Sequence, residues 1–166
     1  MLPYVDEGAG ATMSDEMALL VADVFEAAGA LRRSGEAFAA AEGQTQARWQ
    51  LMSAVSEEAL TVPQAARRLG IARQGVQRVA NDLTDAGLAE FLPNPDHRTS
   101  PLLSLTPEGH TTLRRITARA EAAHRVIAPK LPGDDLAGVR TLLQRLTEEV
   151  RNYGTGPERG GKAAAG

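Results

Sequence analysis

The stretch VPQAARRLGIARQGVQRVANDL, residues 62–83, constrains the fold of this chain more tightly than any other. Pro63 suits the first turn of a helix, where its missing N–H leaves no bond unmade. That helix runs to Leu69 and stops at Gly70, a residue that tolerates the unusual φ of a tight turn. After Ile71, a second helix runs from about Arg73 to Ala86, with Gly87 as its C-terminal cap. Ala66, four positions before Gly70, is small enough to let the two helices cross closely. Ala65, Leu69, Ile71, Val76 and Val79 are the apolar positions that pack one helix on the other. The remaining face of the second helix carries Arg73, Gln74, Gln77, Arg78 and Asn81 and stays polar. This is the pattern of a helix-turn-helix.

Those polar residue types suit a major groove. Arg pairs with guanine O6 and N7 through two hydrogen bonds, and Gln or Asn pairs with adenine N6 and N7. Recognition helices read bases mainly with their N-terminal residues. Arg73, Gln74 and Gln77 are therefore assigned to bases, Arg78 to base or phosphate, and Asn81 to the same face. The alternative is an ordinary solvated helix face. The next segment, FLPNPDHRTSPLLSLTPEG, places a polar, proline-rich tip between the apolar runs 88–92 and 102–105. A lone hairpin is marginally stable, so it must lean on a neighbour. Directly after a helix-turn-helix it reads as a wing, with Arg98 at a tip that reaches an adjacent minor groove. Asp96 is expected to orient Arg98 or to cap the turn; a surface Arg beside an Asx-turn is the alternative.

Helices are expected on both sides of this module. Residues 1–13 read as a flexible arm, and Ser14 as the N-cap of a helix whose first turn holds Asp15 and Glu16. Met17, Leu20, Val21, Val24, Ala28 and Leu31 recur at helical spacing, and the helix continues through Phe38 to stop near Gly43. A second helix is expected over 45–58, lined on one side by Trp49, Met52 and Val55. Thr106-Pro107-Glu108 begins a long helix with a seam of Leu113, Ile116, Ala120, Ala123, Ile127 and Leu131, ended by Pro129 and Pro132. The last helix carries Leu136, Val139, Leu143, Leu146, Val150 and Tyr153, close to a coiled-coil seam. The tail GTGPERGGKAAAG is expected to be disordered.

Composition narrows the function. The chain has 166 residues and no cysteine, which excludes disulfides, Cys-based zinc sites and thiol redox sensing. Three scattered histidines make a His-only metal site improbable, and no cofactor is expected. No apolar run approaches the ~18 residues of a membrane span. The acidic start lacks the pattern of a signal peptide, so the expected compartment is the cytoplasm. The net charge of -3 hides a gradient: residues 1–60 carry -7, residues 61–110 are neutral and residues 111–166 carry +4. The overall charge does not advertise nucleic-acid binding, so that reading rests on where the arginines point. No nucleophile elbow, P-loop or Rossmann glycine motif occurs, so an enzyme is not expected.

Residues 60–109 resemble the DNA-binding core of the MarR (multiple antibiotic resistance regulator) family, in DLTDAGL at 82–88, NPDHR at 94–98 and LTPEG at 105–109. With the flanking helices the resemblance covers roughly 14–153. Thr99 and Gly75 depart from the usual pattern; Gly75 costs roughly 1 kcal/mol of helix propensity. The resemblance implies a mainly α fold with a small β-hairpin wing, a winged helix-turn-helix flanked by dimerisation helices. It divides the chain into a flexible arm (1–13), an N-terminal dimerisation helix (14–44), the DNA-binding domain (45–105), C-terminal dimerisation helices (106–153) and a disordered tail (154–166). It implies a bacterial homodimer that binds a pseudo-palindromic double-stranded DNA operator, usually as a repressor released by a small aromatic or anionic ligand. Phe38, Trp49, Met52 and His110 are the candidates for that ligand's pocket, with plain core packing as the alternative for Trp49 and Met52. A winged-helix module for protein–protein binding, without DNA, is the competing function.

Overall fold

The structure is a computed structural model that describes residues 12–133 and 135–155. The expected arm, apart from Thr12 and Met13, lies outside the described residues, as does the expected tail from residue 156 onward. The elements run α1 (Met13–Ala40), α2 (Gln46–Ala54), β1 (Leu60–Thr61), α3 (Val62–Leu69), α4 (Arg73–Asp85), β2 (Ala89–Leu92), β3 (Leu102–Leu105), α5 (Pro107–Ile127), a 3-10 turn (Ala128–Lys130) and α6 (Leu136–Thr155). They form two compact units that divide within α5, one ending at Ala122 and one beginning at Ala123.

In the first unit, α1 starts two residues earlier than expected. Thr12, not Ser14, caps it: the Asp15 N–H donates to Thr12 Oγ1 at 3.2 Å, and the Thr12 N–H donates back to Asp15 Oδ2 at 3.0 Å. The bond from the Thr12 backbone, and then that from its hydroxyl, hold the Asp15 carboxyl below its ordinary range. Of the 28 residues of α1, only Gly35 and Ala39 are buried. Of the apolar face read from the sequence, Met17, Ala28 and Leu31 are exposed and Leu20, Val21 and Val24 are half-buried, so one chain covers it only in part; Phe25 beside it is 74% exposed. At the other end of α1, Glu36 Oε2 accepts from the Gln46 N–H at 2.9 Å, beside the Thr45 cap of α2. Arg119 of α5 pairs with Glu42 at 2.8 Å.

Helix α2 ends at Ala54, short of the expected Glu58, because the chain turns there into β1. This strand pairs antiparallel with β3, Leu60 opposite Leu103, giving the sheet order β1-β3-β2. The hairpin is therefore not isolated: β3 is a central strand. Leu103 and Leu105 turn inward from it to join Leu51, Met52, Val76, Ala80, Leu83 and Ile116 in the core. Ala65 and Ala66 are buried where α3 meets α4. Gly70 sits at φ 68°, and the Ile71 N–H closes the turn on the Ala66 carbonyl at 3.1 Å. That closure leaves Ile71 51% exposed, so it does not pack between the helices as the sequence reading had it.

The LTPEG segment has a packing reason. Thr106 donates its N–H to the Leu88 carbonyl at 3.1 Å and its hydroxyl to the Gly87 carbonyl at 2.7 Å. The same hydroxyl accepts from the Gly109 N–H at 3.1 Å. Gly109 is buried, and a Cβ there would collide with the Leu88 carbonyl. The first turn of α5 is thus pressed onto the chain between α4 and β2, and only glycine allows it. Leu113, Ile116 and Ala120 of the expected seam are buried.

The second unit holds the end of α5, the turn with Pro129, and α6. Ile127 and Leu131 are 49% and 45% exposed, against the buried seam expected of them. Helix α6 continues through Thr155, two residues past Tyr153. Leu136, Val139, Leu143, Val150 and Tyr153 are exposed along it, and none of its described side chains is buried. The seam has the spacing of an interface, and a single chain leaves it open.

Candidate nucleic-acid interface

Helix α4 separates its residues by period. Val76, Ala80 and Leu83 recur at spacings of four and three and are buried, which anchors one face. Arg73, Gln74, Gln77, Arg78 and Asn81 are all exposed on the rest. The five residues singled out by sequence are therefore presented together by one rigid helix. Ala72, at its N-cap, offers no side-chain bond to the first N–H groups. Gln77 and Asn81 interact, with Gln77 Nε2 donating to Asn81 Oδ1 at 2.9 Å.

A cleft of about 450 Å³ lies between the start of α4 and the wing. Arg73, Gln74 and Gln77 line it from the helix, and Thr99 and Ser100 from the wing; Val62, Pro63, Phe91 and Pro101 supply apolar lining. Thr99, a departure from the family pattern, thus has a place beside the base-reading candidates.

The wing tip is organised by a residue the sequence reading passed over. Asn94 Oδ1 accepts from the Asp96 N–H at 3.0 Å, and Asn94 Nδ2 donates to the Ser100 carbonyl at 2.8 Å. Asn94, not Asp96, therefore closes the turn; the N-P-D order was the available signal. Among the described residues the Asp96 carboxylate makes no hydrogen bond or ion pair, so nothing in the free chain ties it to Arg98. Asp96 and His97 instead line a second polar cleft with Gln64 and Arg67 of α3. Arg98 is exposed at the tip.

The five arginines of the neutral module divide into one that is occupied and four that form no ion pair among the described residues. Arg68 is occupied within the fold, bonded to the Ala54 carbonyl at 2.7 Å and to Glu58 at 3.0 Å. Arg67, Arg73, Arg78 and Arg98 form no ion pair among the described residues, and all four are exposed. The sequence assignment did not include Arg67.

The four residues proposed for a ligand pocket are divided. Phe38 and Trp49 meet edge to face, with ring centroids 6.5 Å apart at 80°. Met52 is fully buried in the core. Trp49 also lines a shallow groove of about 430 Å³, whose other walls are Gln46, Gln50, Ser53, Ala54, Arg68 and Leu69. Phe38, Met52 and His110 are not part of that groove, and His110 lies half-buried in the first turns of α5. Among the described residues Trp49 Nε1 is buried without a hydrogen-bond partner. Among the described residues no group of three or more His, Cys, Asp or Glu could hold a metal ion. No described helix is long and apolar enough to cross a membrane.

Residues 43–98 match the family model of the MarR family. An uncharacterized protein of Mycobacterium tuberculosis is 63% identical over 134 residues, covering 81% of this chain and 94% of the relative. The fold is shared with a MarR family transcription regulator (22% identity, TM-score 0.76, 87% of this chain and 96% of that one). It is shared also with a mutant MarR from E. coli complexed with operator DNA (19%, TM-score 0.70, 81% and 98%). CouR from Rhodococcus jostii RHA1 bound to p-coumaroyl-CoA is a third (20%, TM-score 0.68, 82% and 95%).

Proposed function

The chain belongs to the MarR family, and from that premise we propose that it is a homodimeric regulator that reads double-stranded DNA. The observation that carries this is the exposed polar face of α4, set beside the cleft and the wing, with Arg67, Arg73, Arg78 and Arg98 forming no ion pair among the described residues. With α4 in a major groove and Arg98 in the neighbouring minor groove, the sugar-phosphate strand between them runs across the cleft. Thr99 and Ser100 then meet that strand, and Arg73, Gln74 and Gln77 meet base edges.

Dimerisation is supported by the two apolar faces that one chain does not fully cover, on α1 and on α6. A two-fold dimer would set the recognition helices about one DNA turn apart, roughly 34 Å, and demands a pseudo-palindromic operator. The solved E. coli relative complexed with operator DNA supports the partner. The relative bound to p-coumaroyl-CoA supports release by a small aromatic or anionic ligand, with the Phe38 and Trp49 pair and His110 as candidate contacts. In this reading the protein acts in the cytoplasm as a repressor and catalyses no reaction. Selection from a random duplex library, with enriched sites retested across a salt series, tests it. A two-fold symmetric site and a steep salt slope are expected. Absence of enrichment would instead favour a protein-binding winged helix.

A further inference from the structure

Gln77 and Asn81 stand one turn apart on the exposed face of α4, joined by the bond from Gln77 Nε2 to Asn81 Oδ1. A primary amide has two N–H donors and a carbonyl acceptor. The bond to Asn81 takes one N–H and leaves the other, with Oε1, as a donor–acceptor edge. In the major groove adenine presents the matching pair, an N6–H donor and an N7 acceptor; guanine presents two acceptors, N7 and O6. Reversing the Gln77 amide would set its oxygen against Asn81 Oδ1, acceptor against acceptor, unless both amides turned together. Arg73 and Gln74 line the same cleft without any such internal bond among the described residues, so Gln77 is the base-reading candidate held in advance. A side chain already held loses less freedom on binding.

We infer that Gln77 reads one adenine in each half-site and that Asn81 is its positioning residue, fixing the sense of the Gln77 amide. The inference rests on the DNA-reading function proposed above. It gives Asn81, placed by the sequence only on the DNA-facing side of α4, the support of a base contact.

The test uses the full chain and the enriched duplex, with each A·T pair replaced in turn by G·C. Wild type is compared with Gln77→Ala, Asn81→Ala and Asn81→Asp; both positions are exposed in a helix, and thermal melts confirm folding. At one symmetric pair of positions, wild type is expected to prefer A·T by about tenfold or more. Gln77→Ala removes that preference, and Asn81→Ala reduces it severalfold. Asn81→Asp keeps it, because the introduced carboxylate only accepts and still draws Nε2 toward itself. Its negative charge weakens binding to every duplex alike. The inference is overturned if Gln77→Ala changes no A·T position, if Asn81→Ala leaves the ratio at its wild-type value, or if Asn81→Asp loses the preference as Asn81→Ala does. Those outcomes leave DNA reading intact. If wild type enriches no duplex, DNA reading itself fails and takes this inference with it.

Discussion

Replacing Gly109 by Ala adds a single methyl group, and the structure fixes where it goes. The new Cβ would lie 2.9 Å from the Leu88 carbonyl carbon and closer still to its oxygen, with Leu105 Cβ at 3.4 Å behind. The obstacle is backbone, so no rotamer change relieves it. Helix α5 must shift away from the turn after α4, which strains the Thr106 N–H bond to that same carbonyl. Overpacking of this kind costs roughly 1–3 kcal/mol. A weakened hydrogen bond adds about 1 kcal/mol. Alanine returns at most about 1 kcal/mol of helix propensity. The net is a loss of about 2 kcal/mol, equivalent to a melting point roughly 4–8 °C lower for a chain of this size. Thermal unfolding followed by circular dichroism measures it, at one protein concentration because association raises apparent stability. Gly75→Ala is the internal control: it is helical, exposed and has nothing within 4 Å of its Cβ direction. The same chemical change there should raise the melting point by about 2–4 °C. A Gly109→Ala protein that melts at or above the wild-type temperature would refute the close-approach argument.

Arg98→Ala should weaken binding to all duplexes and lower the log–log salt slope by about one; an unchanged slope would remove the wing tip from the interface. Val139→Asp with Val150→Asp places charge on the open seam of α6 and should convert a dimer to monomer by sedimentation, whereas a persistent dimer would move the interface elsewhere. Trp49 is the chain's sole tryptophan, so an aromatic carboxylate binding at its junction with Phe38 should change its emission as it releases DNA. Release with no change in emission would place the effector elsewhere. Asp15, with its carboxyl held low by Thr12, stabilises the folded state above the ordinary carboxylate pKa, and that stabilisation fades as pH falls through the lowered folded value. Thr12→Ala removes the hydroxyl's bond and keeps the backbone N–H, so it should move the Asp15 titration, read by NMR, part of the way back toward the ordinary range, and no movement would mean the hydroxyl's bond is absent in solution.

Much of the fold was legible because its determinants are local. Gly70 and Gly87 do take positive φ, at 68° and 71°, and end their helices where a glycine cap predicts. Pro63 lies in the first turn of α3, and Thr106 caps α5. The recognition face was legible for the same reason: five polar residues at helical spacing are displayed by one helix whatever surrounds it. What lay beyond reach depended on partners distant in sequence. Strand β1 is two residues long, too short for any period, and exists only because β3 pairs with it. The exposure of Ile71 followed from how the turn closes on Ala66, not from its apolar side chain.

The amino-acid sequence by itself determined the order of the α-helices, the helix-turn-helix and its wing, the residues shown on α4, and the apolar seams of α1 and α6. Each follows from periodicity, caps and turn residues within a few positions of one another. Only the tertiary structure decided which arginines remain unpaired, that Asn94 rather than Asp96 closes the wing, that Gln77 is held by Asn81, and why residue 109 must be glycine. Those depend on which groups from separate segments, or which rotamers on one helix, come within about 3 Å, the range over which hydrogen bonds and steric contact act.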